Sequence, residues 1–134
     1  MNNKVILVTG GTGSFGKKFT EMVLKKYRPK KLIILSRDEM KQYEMQDRFS
    51  PAKYRNLRYF IGDVRDPDRL NRAFHGVDIV VHAAALKIVP TAEYNPFEVV
   101  KTNILGTENV INVAIDNNIK KVMVISTEDR KSVV

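Results

Sequence analysis

Five short apolar runs recur along the chain, at Lys4–Thr9, Lys31–Ser36, Leu57–Ile61, Asp78–His82 and Lys121–Ser126, with longer segments of helical spacing between them. Runs this short and nearly continuous in Val, Ile and Leu suit strands covered on both faces. Their alternation with helices predicts an α/β fold, a doubly wound parallel sheet of about five strands. The helix starts are marked in the sequence. Asp66 precedes Pro67 as an N-cap precedes a first helical residue. Asn95 stands likewise before Pro96, with Glu98 at the third position, close to a capping box. Beyond it Val99, Val100, Asn103, Ile104, Thr107, Val110, Ile111 and Ala114 fall on helical spacing over Pro96–Asp116, and Asn117-Asn118 offers a stop.

Between the first apolar run and the first helical segment lies Val8-Thr9-Gly10-Gly11-Thr12-Gly13-Ser14-Phe15-Gly16. Gly11, Gly13 and Gly16 satisfy G-x-G-x-x-G, and Gly10, Gly13 and Gly16 satisfy G-x-x-G-x-x-G. Either spacing permits a sharp turn, close approach of backbone to a pyrophosphate, and tight packing of helix on strand. The following helix N-terminus offers N–H groups to the phosphates. A turn of this kind, placed between strand and helix, predicts a Rossmann-like dinucleotide site.

The end of the second strand bears on which dinucleotide. NAD-selective sites place an acidic side chain there, about 20 residues beyond the glycines, to hold the ribose 2′-hydroxyl. This chain has Ser36-Arg37 instead, with Asp38 following. A guanidinium suits a 2′-phosphate in charge and in its fork of donors, so NADP is expected over NAD. The alternative is that Arg37 is an ordinary surface charge and Asp38 takes the ribose. After the third strand, Asp63 of Gly62-Asp63-Val64 could accept from an adenine amino group, or serve as a turn residue. After the fourth, the small side chains of Ala83, Ala84 and Ala85 would let a flat cofactor lie against the backbone, with His82 read as a strand-end histidine.

Composition narrows the function classes. A length of 134 residues supports one domain. The formal charge of +8 would suit nucleic acid or a polyanionic small molecule. Lys25, Lys26, Arg28, Lys30 and Lys31 cluster at one helix–strand junction, and the other basic residues are scattered without interleaved aromatics or a nucleic-acid motif, so no nucleic-acid partner is expected. With no cysteine and only His75 and His82 as imidazoles, no metal site is expected. No apolar run approaches the ~20 residues that span a bilayer, and the N-terminus lacks a signal-peptide core. A cytoplasmic protein without membrane contact is expected.

Several longer stretches follow one another in order: Thr9 to Lys17, Ser36-Arg37-Asp38-Glu39, Tyr59 to Asp66, His82-Ala83-Ala84-Ala85-Leu86-Lys87, Val89-Pro90, Ala92 to Pro96, and Lys101 to Gly106. Together they closely resemble the UDP-N-acetylglucosamine 4,6-dehydratases of the extended short-chain dehydrogenase/reductase superfamily, especially the C5-inverting type that begins pseudaminic acid biosynthesis. The resemblance implies tightly held NADP used as a temporary hydride store, with C4 oxidation, loss of the C5 proton and of water from C6, and no net redox change. It implies that Thr12, Gly13, Ser14 and Phe15 cradle the pyrophosphate and that Ser36, Arg37 and Lys41 face the ribose phosphate. It also implies that Asp63 and Val64 meet the adenine, Ala83 the cofactor, Lys87 the cofactor and substrate, and Thr127 the reacting hydroxyl of a nucleotide-sugar substrate.

The chain departs from that pattern near its end. The family follows the fifth strand with Ser-Thr-Asp-Lys, and later with Tyr-x-x-x-Lys on a helix. Here Ser126-Thr127 continues as Glu128-Asp129-Arg130-Lys131-Ser132-Val133-Val134. Glu128 could imitate the acid, one methylene longer, whereas Lys131 falls two residues late. Tyr27 and Lys31 match Tyr-x-x-x-Lys, but Pro29 between them disfavours the helix that would bring them together. Residues 1–134 are therefore expected to be an NADP-binding Rossmann domain ending after the fifth strand, without the substrate-binding portion and inactive alone. A free-standing nucleotide-binding or regulatory module and a basic nucleic-acid-associated Rossmann protein remain as alternatives. Self-association is expected, through the Pro96–Asp116 helix or the edge of the fifth strand.

Overall fold

The computed structural model describes residues 1–84 and 96–126. Nine elements alternate along them: β1 (Val5–Thr9), α1 (Ser14–Lys26), β2 (Lys31–Ser36), α2 (Glu39–Met45), β3 (Leu57–Ile61), α3 (Pro67–Phe74), β4 (Ile79–Ala84), α4 (Pro96–Asp116) and β5 (Lys121–Ser126). The strands form one parallel sheet in the order β3-β2-β1-β4-β5. This is the Rossmann-like, doubly wound arrangement expected from the sequence. β4 runs two residues past the expected His82 because Ala83 and Ala84 pair with Ile125 and Ser126 of β5.

Period-two alternation sorts the strand residues between two cores. Ile6 and Val8 of β1 join Leu32, Ile34 and Val81 beneath Phe19 and Val23 of α1. Leu7 points the other way, with Leu35 and Val80, against Leu70 and Phe74 of α3 and Val110, Val113 and Ala114 of α4. Both faces of β1 are thus fully buried, which explains its unbroken apolar sequence. Truncating a side chain such as Phe74, fully enclosed in the second core, would cost about 3–5 kcal/mol.

The helix ends follow the local chemistry. Asp66 caps α3 by accepting from the Arg69 N–H at 3.2 Å, with Pro67 in the first turn. Asp38 caps α2 in the same way, accepting from the Lys41 N–H at 3.0 Å. α4 ends as the asparagines suggest: Asn118 has φ 55°, and the Ile119 N–H returns to the Ala114 carbonyl at 3.0 Å. The expected cap at Asn95 lies outside the described residues. Tyr27, which closes α1, is already extended, and Lys31 opens β2. The Tyr27–Lys31 pair therefore does not share a helix.

The described side chains of α4 form two apolar stripes. Val110, Val113 and Ala114 face the sheet, whereas Ile104 and Ile111 lie on a second stripe, seven residues apart, and are 60% and 41% exposed. Leu105 and Ile115 are exposed beside them. Helical spacing alone merges the two stripes because both recur near every third or fourth position. Among the described residues no helix is long and apolar enough to cross a membrane.

Candidate functional site

The sheet order locates a crevice before any side chain is considered. β1 is flanked by β2 on one side and β4 on the other, so successive crossovers depart in opposite directions and leave the strand C-termini open between them. The glycine turn occupies this switch point. Gly10 has φ +60°, and a Cβ there would sit 3.5 Å from the Ala83 Cβ, so the turn runs beside the end of β4. The Gly13 N–H donates to the Gly10 carbonyl at 3.1 Å, and the Lys17 N–H to that of Gly13 at 3.0 Å. A Cβ on Gly16 would collide with the Gly11 backbone. Only glycine lets α1 begin this close to the turn that feeds it.

The mouth of α1 suits an anion. Gly13, at its N-cap, supplies no side-chain cap, and no acidic residue stands in the first turn. Thr12 is buried, Gly13 and Ser14 are exposed, and half-buried Phe15 stacks on Phe19 with ring centroids 5.8 Å apart.

At the ends of β2 and β3 the sequence-predicted residues divide. Ser36 is buried, its hydroxyl accepting from Gln42 Nε2 at 3.1 Å and donating toward the Asp38 carbonyl at 3.5 Å. It faces Gln42 rather than open solvent. Arg37 and Lys41 are exposed. Asp38 is committed to capping α2 through Oδ1. Asp63 is held by Arg65: the guanidinium Nη2 donates to Oδ2 at 2.6 Å, Nε to both oxygens at 3.1 Å, and the backbone N–H to Oδ1 at 2.9 Å. The Arg65 hydrogen bonds hold the Asp63 carboxyl below the usual carboxylate range, with a smaller contribution from the charge of Arg37. Arg37 is thus felt electrostatically at Asp63, across the ends of neighbouring strands.

His82 sits inside a chain of three polar groups. Thr9 Oγ1 lies 2.6 Å from His82 Nδ1, and Thr107 Oγ1 lies 3.0 Å from Nε2. The Ala83 N–H donates to Thr9 Oγ1 at 3.2 Å. These groups are satisfied together when the Thr9 hydroxyl donates to Nδ1 and Nε2–H donates to Thr107. Burial lowers the imidazole pKa, in keeping with a neutral ring. Ala83 is half-buried and Ala84 closes β4. Lys87, Thr127 and Glu128 lie outside the described residues.

Three side chains in this region were not singled out from the sequence. Gln42 Nε2 reaches the carbonyls of Ser36 and Phe60 at 3.3 and 3.0 Å, stitching the ends of β2 and β3. Its signal is a polar residue three positions before Met45, on the buried side of α2. Arg69 Nε donates to the Ile61 carbonyl at 2.7 Å while its guanidinium lies 4.1 Å from the Phe60 ring centre. Asn109 Nδ2 donates to the Val64 carbonyl at 3.0 Å; nothing local in the sequence marks it.

The chain is similar over 127 residues, at 55% identity, to UDP-N-acetylglucosamine 4,6-dehydratase (inverting) from Campylobacter jejuni, a match covering 95% of this chain and 37% of that protein. Among solved structures, Pen from Bacillus thuringiensis superposes with a TM-score of 0.81 at 47% identity, covering 90% of this chain and 37% of that one. DesIV, a dTDP-glucose 4,6-dehydratase from Streptomyces venezuelae solved with NAD bound, superposes with a TM-score of 0.70 at 28% identity, over 87% of this chain and 37% of that one. The chain thus spans little more than a third of the length of these relatives. The family described as polysaccharide biosynthesis protein matches residues 6–133, and with the sheet order and glycine turn in agreement, the chain belongs to that family.

Proposed function

We propose that this chain is the NADP-binding part of a nucleotide-sugar 4,6-dehydratase acting on UDP-N-acetylglucosamine with inversion at C5, as at the start of pseudaminic acid biosynthesis. The 55% identity to the inverting Campylobacter enzyme supports the substrate and the stereochemistry. The glycine turn fits a dinucleotide: without a Cβ at Gly16, which would collide with the Gly11 backbone, α1 sits close against the turn. The chemistry that NADP supplies when bound is reversible hydride exchange with the sugar. The protein's own work is to hold and orient. Thr12 to Phe15 receive the pyrophosphate on backbone N–H groups. Ser36, Arg37 and Lys41 face the ribose 2′-phosphate, Asp63 and Val64 the adenine, and Ala83 and Ala84 leave room beside the ring. Lys87 and Thr127 are assigned to the substrate side, and Glu128 to proton transfer.

One observation carries the choice of NADP: Asp38 is occupied as the α2 cap, while Arg37 beside it is exposed. A neighbouring carboxylate would repel a 2′-phosphate; a free guanidinium attracts it. Titrating NADP and NAD against the 134-residue chain tests this. The wild type should prefer NADP and Arg37→Asp should lose that preference; equal affinities in the wild type would sink the assignment. The reading also includes a cytoplasmic protein without a nucleic-acid partner, and self-association, which the exposed apolar stripe of α4 supports.

A further inference from the structure

The turn of α4 from Gly106 to Asn109 touches two separate strand ends. Thr107 Oγ1 meets His82 Nε2 on β4 at 3.0 Å. On either side of Thr107 in sequence, Gly106 and Asn109 meet the β3–α3 turn. Asn109 Nδ2 donates to the Val64 carbonyl at 3.0 Å. A Cβ on Gly106 would lie 2.8 Å from Val64 Cγ2, closer than real contacts allow. Val64 cannot easily swing aside, because branching at Cβ restricts its rotamers. The helix therefore grips one residue by its carbonyl and by its side chain, and that residue follows Asp63 directly.

We propose that the Gly106–Asn109 turn of α4 is a positioning element that sets the base-binding wall of the dinucleotide site, holding Asp63-Val64 in place from the far side of the sheet switch point. The inference rests on the cofactor reading above, in which the adenine lies against Asp63 and Val64. Neither Gly106 nor Asn109 touches the cofactor in this arrangement. Both act through Val64, and through it on the carboxylate that Arg65 orients. The same turn fixes the end of β4 through Thr107 and His82, so the two walls of the crevice share one support.

Titration of the 134-residue chain with NADP, and with its analogue carrying hypoxanthine in place of adenine, separates positioning from general stability. Asn109→Leu removes the donor at similar volume. It should weaken NADP about tenfold, the loss of one part-buried hydrogen bond, and reduce the preference for adenine over hypoxanthine. A loss equal for both dinucleotides would indicate a merely structural role and overturn the proposal, as would unchanged binding. Gly106→Ala gives an independent test should Asn109→Leu fail to fold. It should weaken NADP in the wild-type background yet have no further effect when Val64→Ala has removed the opposing methyl; equal losses in both backgrounds would overturn the proposal. Failure of the wild type to bind NADP would instead overturn the cofactor reading.

Discussion

Thr9 and His82 are register partners on β1 and β4, and their side chains also meet, Oγ1 to Nδ1 at 2.6 Å. The pair joins the strands on either side of the switch point by a side-chain bond beside the backbone ladder. Burial lowers the His82 pKa from 6.5, so the folded state favours the neutral ring. The unfolded chain takes up the proton first as pH falls. The stabilising contribution is complete above the unfolded value and declines as pH drops from there toward the lower folded value. The urea midpoint of the wild type should therefore fall between pH 7.5 and pH 5 more steeply than that of His82→Gln. Parallel slopes would show that this imidazole is not the group titrating.

Arg65 offers a second test through Asp63. The folded carboxyl is held below its ordinary value chiefly by the hydrogen bonds from Arg65. Its contribution to stability is present above the unfolded carboxylate value and disappears as pH falls through the folded one. In Arg65→Ala, the Asp63 carboxyl should titrate at higher pH, measured by carbon NMR of the carboxylates. The effect on overall stability should be small, because the pair is partly exposed. An unmoved titration curve would assign the shift elsewhere.

Thr20 lies fully buried on α1, and its hydroxyl finds no partner among the described residues. A buried hydroxyl left unpaired is a net liability, whereas valine has nearly the same shape. Thr20→Val should raise the unfolding free energy by about 1 kcal/mol. Denaturant titration reads this directly, and a loss of similar size would reveal a bonded hydroxyl.

The second stripe of α4 predicts association. Ile104, Leu105, Ile111 and Ile115 are exposed on a helix whose other face is already committed to the core. Light scattering across a tenfold dilution should give a dimer or larger species. Ile104→Glu with Ile111→Glu should yield a monomer without lowering the thermal midpoint much, since neither side chain is in the core. A monomer at every wild-type concentration would refute the self-association reading.

Much of this architecture was legible because backbone burial and residue type coincide. Strands covered on both faces leave unbroken Val, Ile and Leu, as in Ile6-Leu7-Val8, and Asp66-Pro67 marks a helix start by elementary capping. The departures arise where one residue serves two masters. Gln42 and Asn109 were not singled out from the sequence, yet each ties a carbonyl distant in the chain. Ser36, expected from the family resemblance to face the ribose phosphate, also accepts from Gln42 Nε2, a contact not read from the sequence. Ile104 and Val110 share one apolar alphabet although one faces outward and the other inward. The contacts of Gln42 with Phe60 and of Asn109 with Val64 span 18 and 45 positions, separations that local spacing cannot encode.

The cap at Asp38 has a consequence for changing cofactor choice. In the proposed NADP reading, charge selection by Arg37 and helix anchorage by Asp38 stand on adjacent residues, one exposed and replaceable, the other bonded to the first turn of α2. A redesign toward NAD that inserts its carboxylate at Arg37 leaves the anchorage intact. One that works by removing Asp38 would loosen α2 and, with it, the Gln42 stitch that aligns β2 with β3. The two positions thus divide into a dial and a fastener, and only the first can be turned without the second giving way.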